Sequence, residues 1–494
     1  MRGDDQNTER AAAEPAARRS PTFAKTGLVA FALAGILLGF YRGALDVYFF
    51  HDDFVFLDRA TLAAPSDLVA SFSLERNQRG LHEKSHSYRP VSTNLYFGAV
   101  RSAFGLSPRA FHATNLLALA GIATLLVVLL AQLGLPPAGG AALALIFALS
   151  AINFETQLWI SVFQELAFAL LALAAVIVHI ASERSSRKRA AAVTGLYLLA
   201  LLCKEMAISL PAILLGFELL VRRARLRDAV GATLPLWIAT AVYATLRFAF
   251  IPVAFEGPYA LRIGWFALGS FGTYVRWSVQ ALCLSADWRV LLALLALAGA
   301  GLRFASGRRR RLAAFGALWF AIALGPVLFL PNHLYRYYLV FPALGLMTAA
   351  AALVPPLAPR TRHGKLRAGL ALALVLGFAA VSQQRFDAAL ARRERQTGRS
   401  QAILEQLRAL HPVLPDHTQI YLSAPGNFAI ARFLKDSGAA IRVIYGNPTL
   451  RADPLTPRAA RRIGSGRDEP ALAFFFGEDG RLREHPNNRR ARGE

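Results

Sequence analysis

Apolar residues in this chain come in long runs that ignore the period of a soluble amphipathic helix or strand. GLVAFALAGILLGFY, ATLLVVLLAQLG, FALLALAAVIVHIA and LWFAIALGPVLFLP are examples, and such runs recur from residue 25 to residue 383. About 20 apolar residues cross a bilayer as a helix, so the pattern predicts a polytopic membrane protein. Short Arg and Lys clusters separate the runs, and because such clusters mark the cytoplasmic side, the number of spans between two of them must be even. That rule demotes 89–104 (RPVSTNLYFGAVRSAF) and 264–284 to interfacial helices on the outer side, joined there by 54–76. It also folds the stretch between RKR at 187–189 and RRARLR at 222–227 into a hairpin with CKEM at its outer tip. PNHLYRYY becomes the outer tip of a second hairpin formed by 311–330 and 336–356. The reading is an all-α polytopic membrane protein of about eleven transmembrane helices with outer interfacial helices and a small C-terminal soluble α/β module.

The expected organisation is a cytoplasmic tail at 1–24, a multispan domain at 25–383 and a periplasmic module at 384–494. In the module, FDAALARRERQTGRSQAILEQLRAL has helical spacing, while TQIYLSA, IRVIYG and ALAFFFG read as strands. RRER at 392–395 conflicts with an outer placement, since basic residues this near a span normally stay inside.

Composition agrees: of 494 residues 55% are hydrophobic and 17% charged. A net charge of +24 would suggest nucleic acid in a soluble protein, but here the basic residues sit between apolar runs and set orientation, so no nucleic-acid partner is expected. Cys203 and Cys283 make no disulfide framework. The Arg-rich start, without a small-residue cleavage site after the first run, reads as an uncleaved signal anchor.

The polar residues of this topology gather on one side. His51, Asp52, Asp53, Tyr88, Arg89, His112, Asn115, Glu155, Glu165, Lys204, Glu205, His333, Tyr335 and Arg336 all fall at outer helix ends. Ionisable groups at membrane depth cost about 2.5–3.5 kcal/mol each, so the gathering is a candidate site. Carboxylates there could supply a general base or hold a cation, and Arg, Lys and His could hold a phosphate. Two adjacent carboxylates in YFFHDDFVFLDRA repel each other and lose hydration, which raises at least one pKa unless a cation intervenes. Structural readings stand beside these: an aspartate capping a helix, a local Lys204–Glu205 ion pair, Arg336 as an interfacial anchor, and His112 with Asn115 tying helices together. The role of Glu165 is open, and His179 reads as structural.

HDD in the first outer loop, then YRPV, FHATNLL, FETQLWI, LLCKEMAISLP and LYRYYLVFPALGL, resembles in order and placement the C-type glycosyltransferase superfamily. The nearest likeness is to the transmembrane-and-TPR O-mannosyltransferases and their bacterial relatives, with protein O-mannosyltransferases and aminoarabinose transferases more distant. The resemblance covers about residues 25–383, and no TPR array follows. It implies a bacterial inner-membrane enzyme that moves a sugar from a polyprenyl-phosphate donor to a glycan, lipid or protein acceptor at the periplasmic face. It also implies a catalytic base in the acidic motif, Asp52 by position, with Asp53 tuning it or sharing a divalent cation. Arg89, Lys204, Arg336 and His333 would hold the donor phosphate, and Glu155, Glu205, Tyr88 and His112 would position substrate. A transporter or flippase of a polyprenyl-linked sugar is the competing class, against which stand the lack of an internal repeat and the placement of charges at helix ends.

Overall fold

A computed structural model describes residues 23–488 except 61, 79–86, 136, 182–185, 252, 254, 255, 258, 286, 355–361, 425–429, 458, 460–470 and 487. The expected tail at 1–24 therefore lies almost wholly outside the described residues. The chain is mostly helical. Its longer helices are α1 (Phe23–Tyr41), α2 (Asp52–Arg59), α3 (Tyr96–Phe104), α4 (Pro108–Gln132), α5 (Pro137–Leu149), α6 (Phe163–Ala181), α7 (Arg187–Cys203), α8 (Leu210–Leu220) and α9 (Leu226–Phe250). They continue with α10 (Phe266–Leu282), α11 (Trp288–Phe304), α12 (Gly307–Leu328), α13 (Val340–Leu353), α14 (Arg362–Leu410) and α15 (Lys435–Tyr445). Among the described helices, seven segments are long and apolar enough to cross a membrane, which makes this a multi-pass membrane protein. The other expected spans correspond to α5, α7, α8 and α11, of 13, 17, 11 and 17 residues.

Local sequence explains the helix ends. Pro108 stands in the first turn of α4, where its missing N–H costs nothing, and Ser186 and Asp287 accept backbone N–H groups at the starts of α7 and α11. The hairpin α12–α13 closes on two glycines. A Cβ on Gly316 would fall 2.5 Å from the Gly345 carbonyl oxygen, and one on Gly345 would fall 2.6 Å from that of Gly316, so only glycine lets these backbones touch. At the opposite end of the bundle from the cavity described below, Glu218 is fully buried and held by His179 at 2.8 Å and Arg222 at 2.7 Å, the structural role expected of His179.

Three expectations change. The interfacial helix foreseen at 54–76 is broken into α2 and two single turns, Ser66–Ala70 and Leu74–Gln78, with Pro65 at the break. IRVIYG is not a strand but the body of α15, ended by Gly446 in the left-handed region. Its β-branched residues gave the strand signal, and packing overrode it, because Ile441 and Val443 are buried in one core with Phe54, Val55 and Leu57 of α2. Finally, the last apolar run and the polar helix after it are one rod of 49 residues, about 74 Å long at 1.5 Å per residue.

The far half of that rod meets a four-stranded sheet, β1 (Gln419–Ser423), β2 (Arg451–Pro454), β3 (Ala471–Phe476) and β4 (Leu482–Glu484), in the order β2-β1-β3-β4. β1 runs parallel to β2 and β3, with Gln419 opposite both Arg451 and Ala471, and β4 is antiparallel to β3. One apolar cluster holds Ile403, Leu407, Ile420, Phe474 and Ile441 together with Phe49, Phe54 and Phe111. The C-terminal segment is thereby packed onto the first long loop.

Candidate active site

Asp52 and Asp53 open α2, and since successive helical residues point about 100° apart, one faces inward when the other does not. Asp53 is 1% exposed. Its Oδ2 accepts the Phe50 N–H at 2.8 Å, and its Oδ1 accepts the Ser161 N–H at 2.7 Å and the Ser161 hydroxyl. Burial pushes its pKa up to about 7, against the pull of those hydrogen bonds. Asp53 thus ties the first loop to the helical turn Ile160–Val162 that leads into α6, accepting one of the N–H groups at its start. The residue before the pair, His51, has φ 51° and ψ −111°, a conformation that costs about 1–3 kcal/mol for a residue with a Cβ and that the surrounding contacts must impose.

Asp52 lines a cavity of about 620 Å³. Val55, Phe56 and Arg59 of α2 share that wall, Trp159, Met206, Phe248 and Val327 add apolar surface, and Tyr337 and Tyr338 line it from the α12–α13 hairpin. Among the described residues, the charged lining is five basic (Arg59, Arg89, Lys204, Arg247, Lys435) and two acidic (Asp52, Glu205) side chains. An excess of cations in a walled pocket favours an anionic ligand. Asp52 forms an ion pair with Lys435 of the C-terminal segment.

The structure brings Asp52, Arg89, Lys204 and Glu205 to this cavity. The local Lys204–Glu205 pair does not form. Lys204 turns instead to Glu165, settling that residue's role, with its ammonium 4.7 Å from the Tyr338 ring centre and 5.4 Å from that of Tyr337. Glu205 is bound by Arg89, whose Nε and second terminal nitrogen each lie 2.8 Å from its Oε2, while the other terminal nitrogen donates to Gln164. Arg89 and Lys204 therefore each already have a carboxylate partner.

The remaining expected residues stand apart from the cavity lining. Arg336 donates to Gln280 at 3.0 Å and stacks over Trp277, which anchors the hairpin tip to α10. His333 lies among Tyr259, Tyr335 and Tyr338, and burial together with the charges of Lys204 and Arg89 lowers its pKa to about 4. It is neutral at pH 7 and offers a phosphate no charge. His112 meets the Val47 carbonyl at 3.0 Å and Asn115 donates to the Thr156 carbonyl at 2.8 Å, the helix-tying geometry. Tyr88 donates to the Phe72 carbonyl at 2.6 Å. Among the described residues the buried Oε2 of Glu155 has no hydrogen-bond partner, and burial raises its pKa while Arg393 and Arg336 pull it down. Both Asp53 oxygens accept hydrogen bonds from the protein, and no cluster of three or more His, Cys, Asp or Glu side chains able to hold a metal occurs among the described residues.

Sequence reasoning missed Arg59, Arg247, Lys435 and Arg393. Arg59 was visible as the basic residue two turns beyond Asp52 on the same helix face. Arg393 belongs to the anomalous RRER cluster, and its guanidinium stacks 4.3 Å from the Phe50 ring and 5.7 Å from that of Trp159. For Lys435 the sequence held no signal.

Fold and cavity together define a multi-pass membrane protein with a charged pocket at the loop end of its helix bundle. The chain is similar to ArnT from Cupriavidus metallidurans in the apo state, at 14% identity and a TM-score of 0.51 over 92% of this chain and 93% of that one. ArnT bound to undecaprenyl phosphate also matches, at 15% identity and a TM-score of 0.44 over 91% and 93%. No family model and no curated protein matches the chain. The likeness to apo ArnT shows the fold, the one that the resemblance to the C-type glycosyltransferases led us to expect.

Proposed function

We propose that this chain is an integral membrane glycosyltransferase that takes a sugar from a polyprenyl-phosphate donor and passes it to an acceptor at the periplasmic face of a bacterial inner membrane. The observation that carries the reading is the placement of one carboxylate, Asp52, in a pocket where, among the described residues, lining cations outnumber lining carboxylates. A sugar phosphodiester already has a good leaving group, so the reaction needs a base for the acceptor and positive charge for the departing phosphate. Asp52 supplies the base. Asp53 holds the turn that aims it, and the α9 residues Tyr243 and Phe248 line the side from which a prenyl chain would enter. The ArnT-like fold supports the same reading, and the distribution of basic clusters along the chain favours an outward-facing loop end.

The test is sugar release from labelled polyprenyl-phosphate sugars by purified protein and by Asp52→Asn, with and without EDTA. Loss of about 10²–10⁴-fold in Asp52→Asn, with lipid binding retained, is the expected result. Binding of donors without turnover by the wild-type protein would instead mark a carrier.

A further inference from the structure

Two ion pairs join α15 to α2, and they differ in kind. Arg442 holds Asp58 at 2.9 Å, with side chains only 10% and 18% exposed, and the same guanidinium donates to the Ser437 and Asp436 carbonyls. Lys435 and Asp52 are 47% and 28% exposed. A pair this open adds little to docking, which the buried Arg442 pair and the apolar seam of Phe54, Val55 and Leu57 against Ala440, Ile441 and Val443 already secure. Left-handed φ values at Asp436, Ser437 and Gly438 mark the turn that follows Lys435 as it stands at the cavity wall. Its flexible stem makes it a movable point charge.

We propose that Lys435, contributed by the C-terminal segment, binds the departing phosphate of the lipid donor. The inference rests on the glycosyltransferase reading. In that reaction the acceptor O–H proton goes to Asp52, and the acceptor oxygen forms the bond to the anomeric carbon. The anomeric C–O bond to phosphate breaks with its electron pair left on the phosphate oxygen. Asp52 thereby goes from −1 to neutral while the phosphate goes from a monoanionic diester to a dianionic monoester. Lys435 stands on the cavity wall paired with Asp52, so with a donor phosphate bound within its reach its attraction would pass from the base to the leaving group as the charge does, an interaction that strengthens along the reaction. Arg89 and Lys204 cannot follow in this way, because Glu205, Gln164 and Glu165 hold them.

The test measures binding of undecaprenyl phosphate and of its methyl ester, a dianion and a monoanion on one chain, to the full-length protein in nanodiscs. Lys435→Met should weaken the dianion about tenfold, the ester far less, and leave the unfolding midpoint unchanged, while Lys435→Arg keeps most of the affinity. Asp52→Asn, a mimic of the protonated base, should strengthen dianion binding, and several-fold more when Lys435 is present than in the Lys435→Met background. Equal effects on both lipids, or none, would overturn the role of Lys435 while leaving the glycosyltransferase reading in place. Failure of the wild-type protein to bind either lipid would overturn both.

Discussion

Burial lifts the Asp53 carboxyl to about 7, and a folded pKa above the ordinary 3.8 has a defined consequence for stability. Between about pH 4 and pH 7 the unfolded chain has released a proton that the folded chain keeps, so this group's contribution to stability falls as pH rises through that window and is level above it. His333, with its lowered pKa, acts in the opposite sense between about 6.5 and 4, so the two are separated by difference. The gap in unfolding midpoint between wild type and Asp53→Asn should therefore narrow from pH 4.5 to pH 7.5. The asparagine also sets an N–H₂ against a backbone N–H, at a cost of about 1–3 kcal/mol. A gap that does not vary with pH would mean that Asp53 is ionised throughout. Sequence alone identified the pair and the rise in one pKa, because repulsion and an aromatic setting are visible in HDDF. Which aspartate is buried depends on Ser161, 108 positions away, and was not visible.

At the scale of elements, the α12–α13 hairpin carries the aromatic wall formed by Tyr337 and Tyr338, and its closure depends on Gly316 and Gly345. In Gly345→Ala the new Cβ would lie 2.6 Å from the Gly316 carbonyl and 2.9 Å from the Phe320 nitrogen. Backbone cannot rotate away as a side chain can, so the helices must part, at about 1–3 kcal/mol. The expected outcome is a lower unfolding midpoint and, because the tyrosines move with the hairpin, weaker donor binding. Gly299→Ala, where an added Cβ meets nothing within 4 Å, should leave both unchanged. Equal behaviour of the two variants would refute the close crossing. The hairpin itself was legible from charge parity. The partners of its lysine neighbour were not: Lys204 and Glu165 sit 39 positions apart on segments that hydropathy treats as independent. The same limit explains IRVIYG, whose composition favours a strand until α2 offers it a surface on which to pack as a helix.

Over the whole molecule, the C-terminal segment reaches the cavity wall through Lys435. The basic cluster that seemed to violate the charge rule supplies Arg393, which stacks on Phe50 and Trp159 beside the cavity and so has a packing partner on that side of the bundle. The continuous α14 then brings the sheet over α2, where Arg442 and Asp58 form the buried part of the seam. Removing one partner of such a pair leaves a buried charge, at about 3–5 kcal/mol, more than an exposed pair can contribute. Arg442→Asp should therefore release the C-terminal segment, read as faster proteolysis after residue 410 and loss of sugar transfer, without disturbing the span region. Restoring the pair in reverse with Asp58→Arg should recover part of both, since the charges again meet across the same seam. Activity lost in Arg442→Asp without any gain in protease sensitivity would place Arg442 in the chemistry itself. Protease sensitivity with full activity would show that the membrane helices and α2 make the site alone, and Lys435 would then have no part in it.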